Sequence, residues 1–157
     1  MTKINPVHVL GGGILAGVII NLSGGAAWTT GLGKEYLRQL GGSIPSRAIP
    51  LSIWWGLLMG IVAVWLYVSL RAQYNAGVRT AALAGMATWF LGYALPTYAI
   101  WSFGFLDGRL SVLASTAALP QIVLATLAGA TLYNWAGDAP AAKNGTALTE
   151  PLSGTNR

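Results

Sequence analysis

Asn21, Thr88 and Gln121 are hydrogen-bonding side chains set inside long apolar stretches, and Tyr93 and Pro96 share the stretch that carries Thr88. Amides and hydroxyls donate and accept hydrogen bonds without carrying charge near neutral pH. The chemistry open to this set is therefore recognition, not proton or electron transfer. Pro96 has no backbone N–H and frees the carbonyl of Gly92, and Pro120 does the same for Thr116. In a dry environment a freed carbonyl takes a partner from an amide side chain or a trapped water. Two readings follow. Asn21 and Gln121 fasten helices to one another, or the five residues form a small polar pocket ringed by Tyr93, Tyr98 and Trp101. Such a pocket suits a neutral lipid headgroup, a quinone or a small polar solute.

The remaining side chains exclude more than they offer. His8 is the only histidine, so no two-histidine metal site forms within one chain, and its position at the mouth of the first apolar stretch is that of an interfacial residue. Cysteine is absent, which removes thiolate nucleophiles, thiolate metal sites and disulfides. The acids Glu35, Asp107, Asp138 and Glu150 all fall outside the apolar stretches. Proton or cation coupling and a charged selectivity ring both need ionisable groups within the membrane. No serine sits in a GxSxG elbow, and the glycines of HVLGGGILAG follow no strand. The basic residues, which give a net charge of +5, are scattered over the termini and loops, unlike a nucleic-acid surface. The balance is against an enzyme, and no metal or cofactor is expected.

The elements that must position the polar set are membrane helices. The chain is 54% hydrophobic and 8% charged, where soluble domains carry about 25% charged residues. Apolar runs lie at about 7–27, 48–70, 78–103 and 110–136, with Arg79 at the entry of the third and no charge in any interior. About 20 helical residues cross a hydrocarbon core of ~30 Å. The runs lack the two-residue alternation of a membrane barrel. The expected fold is an all-α, four-transmembrane-helix bundle over residues 1–137, followed by a disordered polar tail, 138–157. Between the first two spans, GLGKEYLRQLGG sets Leu32, Tyr36, Leu37 and Leu40 on one side of a short helix and Lys34, Glu35, Arg38 and Gln39 towards the other. That pattern predicts a helix lying on the membrane surface.

Two aromatic belts are expected at the headgroup level. Trp28, Trp54, Trp55, Tyr98 and Trp101 form one, and Trp65, Tyr67, Tyr133 and Trp135 the other. Trp89, mid-span, packs or faces lipid. Arg71 and Arg79 flank a short loop, which predicts both termini in the cytoplasm.

Helices in lipid associate by close backbone approach and by hydrogen bonds. Each span offers small or polar residues at four-residue spacing: Gly13, Gly17, Asn21 and Gly25; Ser52, Gly56 and Gly60; Ala84, Thr88, Gly92 and Pro96; Ala117, Gln121, Ala125 and Gly129. All four stripes are expected to face inwards.

Gly25, Trp28, Gly33, Lys34 and Tyr36, within GGAAWTTGLGKEYLRQLG, resemble an uncharacterised family of small four-span bacterial membrane proteins known as a domain of unknown function. Thr29 departs from that pattern, standing where an aromatic residue usually follows the tryptophan. The resemblance implies a bacterial cytoplasmic-membrane setting and a four-helix fold, and carries over no catalytic residue. The function expected is that of a non-enzymatic accessory or scaffold subunit, packing in the lipid bilayer against itself or a membrane partner. The alternative is a small permease or a lipid- or quinone-binding protein built on the polar pocket.

Overall fold

The computed structural model describes residues 5–145, with side chains as far as 137. Every regular element among the described residues is helical. Helix α1, Pro6–Ala27, starts where the Asn5 side chain accepts the Val7 N–H at 3.0 Å, with Pro6 at a position that needs no donor. Helix α2, Gly31–Gln39, is capped by Thr30, whose hydroxyl accepts the Gly33 N–H at 3.2 Å. Helix α3, Ala48–Tyr74, stops at Asn75, whose φ of 66° and ψ of 160° lie outside both helical wells, in a region that glycine favours. Helix α4, Val78–Trp89, continues without a break through a π-helical turn, Phe90–Ala94, into α5, Leu95–Ser102. Helix α6, Gly108–Gly145, follows Asp107, whose carboxylate accepts the Leu110 N–H at 2.7 Å.

Among the described residues three helices are long and apolar enough to cross a membrane: α1, α3 and the Gly108–Gly137 part of α6. The third expected run, 78–103, is one rod in three pieces. Pro96 explains the π turn between them. In a regular α-helix its ring would press on the Gly92 carbonyl and leave it without a donor. The backbone widens there, and the Leu95 N–H reaches back five residues to the Phe90 carbonyl. At the other end, the α6 backbone runs on to Gly145, so the first part of the tail expected to be disordered is helical. The remainder of that tail, 146–157, lies outside the described residues.

Helix α1 packs against α3 and α6, and α4 packs against the same two from the opposite side. Consecutive glycines allow α1 to touch both neighbours backbone to backbone. A Cβ built on Gly13 would lie 2.6 Å from the Ile61 Cα, and one on Gly17 would lie 2.7 Å from the Leu57 Cα. From the α3 side, a Cβ on Gly60 would strike the Gly17 nitrogen and the Gly13 carbonyl. Gly56 lies beneath the Asn21 amide, and Gly129 of α6 meets Gly12. Gly92 is opposed only by the thioether end of Met59. The core between the helices is correspondingly small and dry, with Ala16, Ala63, Val64, Ala84, Ile122 and Ala125 fully buried.

Gly25 departs from the expected stripe. It is exposed, and a Cβ there would meet nothing within 4 Å. Each four-residue step advances about 40° around a helix of 3.6 residues per turn, so three steps carry Gly25 roughly 120° away from Gly13. Ser52 and Ala117, at the ends of their own stripes, are exposed for the same reason. The inner aromatic belt also differs. Trp65 and Trp135 face outwards, but Tyr67 and Tyr133 are buried between helices.

Candidate functional site

The polar residues singled out from the sequence do not gather at one place: Gln121 and Tyr93 line one cavity, Asn21 and Tyr93 line another, and Thr88 and Pro96 line neither. Asn21 spends both amide hydrogens on carbonyls, donating to Gly17 at 2.9 Å in its own helix and to Ile53 of α3 at 3.1 Å. Thr88 is buried and donates to the Ala84 carbonyl at 2.8 Å, so its hydroxyl is satisfied within α4. Gln121 faces a different side of α1 from Asn21 and donates from Nε2 to the Ile20 carbonyl at 3.1 Å. Asn21 thus ties α1 to α3, and Gln121 ties α1 to α6. Trp89 adds a third tie, its indole donating to the Ser115 carbonyl of α6 at 2.8 Å. Pro96 acts through the π turn it imposes.

A cavity of about 230 Å³ does form near Gln121 and Tyr93. It lies between the C-terminal end of α1, α2, the π turn with α5, and α6. Its aromatic lining is Trp28, Tyr36 and Tyr93, whereas Tyr98 and Trp101 are exposed and stack edge-to-face on one another at 5.4 Å. Trp28 and Tyr36, expected only as belt and surface-helix residues, meet edge-to-face at 5.8 Å. Gly33 makes this possible. A Cβ there would strike the Ala27 carbonyl and lie 2.7 Å from the Trp28 Cα, so only glycine lets α2 fold back onto the end of α1. Burial pushes the Tyr36 phenol up, and the nearby Tyr93 adds to the shift. A second, larger hollow of about 640 Å³ lies between α1, the α2–α3 connection and α3, and shares Gly24, Trp28 and Tyr93 with the first.

Helix α2 is held in place by a clasp that no local pattern announces. Gln39 donates to the Asp107 carboxylate at 2.7 Å and accepts the Asp107 backbone N–H at 3.1 Å. Glu35 accepts from Gln39 at 3.1 Å and pairs with Arg38 at 2.7 Å. The Gln39 amide and the α6 backbone N–H groups hold the Asp107 carboxyl below its usual range, and Arg38 and Gln39 do the same for Glu35.

The opposite end of the helices carries a second cluster. Arg71 donates to the Asn134 side-chain oxygen at 3.0 Å, and the Asn134 amide donates to the buried Tyr67 hydroxyl at 2.8 Å. The Arg71 guanidinium also lies 5.3 Å from the Tyr133 ring centroid, and His8 meets that ring edge-to-face at 6.2 Å. Among the described residues no acidic side chain joins this network. It binds α3 to α6 and keeps the arginine stem against protein.

Comparison with protein-family models, curated proteins and solved structures returned no match to this chain.

Proposed function

We propose that this chain is a multi-pass protein of the cytoplasmic membrane in which α1, α3, the α4–α5 rod and α6 are four spans. Both termini lie on the cytoplasmic side, and α2 rests at the opposite interface. Its role is that of a non-enzymatic accessory or scaffold subunit. The observation carrying this reading is how the interior polar groups are used: Asn21, Gln121, Trp89 and Asn134 each tie one helix to another. The rod that joins α4 to α5 is long enough for a fourth crossing once the π turn is counted as part of it. Its outward side carries Leu83, Met86, Phe90, Leu91 and Leu95, a surface suited to lipid or to another membrane helix.

The experiment is crosslinking in native membranes followed by mass spectrometry of the complex in mild detergent. A homo-oligomer or a reproducible membrane partner is expected. A strictly monomeric chain without a co-purifying partner overturns the subunit reading. Reporter fusions to the C-terminus scoring on the far side of the membrane overturn the orientation.

A further inference from the structure

We infer that the 230 Å³ cavity between α1, α2, α5 and α6 is a binding site for a flat, uncharged ring bearing carbonyl acceptors. The first ground is hydrogen-bonding capacity left unspent. Thr97 is only 6% exposed, yet its hydroxyl takes no partner among the described residues. Two buried threonines within regular helix return the hydroxyl to the carbonyl four residues back, Thr88 to Ala84 and Thr126 to Ile122 at 2.8 Å, and Thr80, in the first turn of α4, donates to the Asn75 carbonyl at 2.8 Å. For Thr97 the carbonyl four residues back belongs to Tyr93, inside the π turn, where the regular spacing is lost. Among the described residues no fully enclosed polar atom goes unsatisfied, so the Thr97 hydroxyl retains access to open space, and the cavity is what Thr97 lines. Tyr93 and Tyr36 line the same cavity with hydroxyls that take no partner among the described residues, and Gln121 has one amide hydrogen left there after bonding Ile20.

The second ground is the character of the wall. It contains no charged side chain, so a charged ligand would lose its hydration without gaining a counter-charge. Trp28, Tyr36 and Tyr93 supply aromatic surface, which favours a flat ring. The volume falls below the ~300–1,000 Å³ of sites for drug-sized ligands, so a ring or headgroup fits and a whole lipid does not. A ring carrying a long tail and a free tailless ring share this chemistry. The site stands independently of any partner the chain has.

The probe is menadione, a tailless naphthoquinone, which forms no thiol adduct here because the chain has no cysteine. The full chain in detergent micelles is titrated while tryptophan fluorescence is followed, with protein-free micelles containing a tryptophan amide correcting for partition. Saturable quenching is expected. Thr97→Val and Tyr93→Phe should each weaken it about tenfold, the size of one lost hydrogen bond, with the helical circular dichroism unchanged. Trp28→Phe, at the rim, should abolish most of the saturable quenching and serves where either other variant lowers folded yield. Menaquinone-4 binding tenfold tighter than menadione identifies a lipid-borne ring, and equal affinity identifies a free one; either result supports the site. Quenching that never saturates, or that saturates identically in the folded variants, overturns it.

Discussion

Gly12 and Gly129 press backbone against backbone: a Cβ on Gly12 would lie 2.5 Å from the Gly129 carbonyl oxygen, and one on Gly129 would lie 2.6 Å from that of Gly12. Gly13 and Gly17 make the equivalent approach to α3 on the neighbouring face of α1. Neither contact leaves room for a methyl group, and backbone atoms cannot swing aside.

Gly60→Ala and Gly129→Ala should therefore each destabilise the fold by about 1–3 kcal/mol or cause it to rearrange. Gly25→Ala, where the space is open, should be neutral or stabilise by up to ~1 kcal/mol through helix propensity. Unfolding titrations in mixed micelles separate the two classes. Equal losses at Gly25 and Gly60 would contradict the packing described.

Asn21 and Gln121 should behave as ties of different helices. Each leucine replacement should cost about 0.6–2 kcal/mol, the range for hydrogen bonds between membrane helices. Gly56→Ala should displace the Asn21 amide, because its Cβ would lie 2.5 Å from Asn21 Nδ2. Combined with Asn21→Leu, its cost should fall short of the sum of the two single changes, whereas Gly56→Ala with Gln121→Leu should add. A double-mutant cycle measures both.

The glycine stripes were legible because four-residue spacing is a local pattern. Helix α2 was legible through Leu32, Tyr36 and Leu37. What stayed hidden depends on residues far apart in the chain. Gln39 and Asp107 are separated by 68 positions, and no periodicity links them. The split of Asn21 from Gln121 depends on which side of α1 each neighbour occupies, and spacing within one helix carries no such information. Gly12 and Gly13, side by side on α1, point to two neighbours, which a single four-residue stripe does not express. Trp28 reads as a belt residue and Tyr36 as a surface-helix residue; their shared cavity depends on α2 folding back, for which the bare glycine at 33 is the available sign.

Acid should loosen α2 selectively. Asp107 and Glu35 are held below their ordinary values of 3.8 and 4.5, so their contribution is complete above those values and is lost as pH falls through the lowered ones. Both carboxyls are solvent-exposed, so the effect is local and small. Hydrogen exchange should show the amides of Gly31–Gln39 becoming less protected in that acid window, with α1 and α3 unchanged. Asp107→Asn should remove the part of the response that runs through Gln39. A response spread evenly over the chain would count against the clasp.

Tyr67→Phe removes the acceptor for the Asn134 amide in a buried setting. It should cost about 1 kcal/mol, and a further Asn134→Leu should then cost little. Full additivity of the two would show that the Arg71–Asn134–Tyr67 chain does not act as a unit.

The π turn also sets the phase of everything beyond it. One surplus residue in a helical rod turns all that follows by about 100° relative to an uninterrupted helix. The rod therefore carries two inward meridians: Thr80, Ala84 and Thr88 lie on the first, and Thr97 lies on the second. Excising a single residue from Phe90–Ala94 would keep the rod's composition and nearly all its length while rotating Thr97 to a new azimuth. The one-residue deletion is therefore a direct way to ask what the far end of this rod is for.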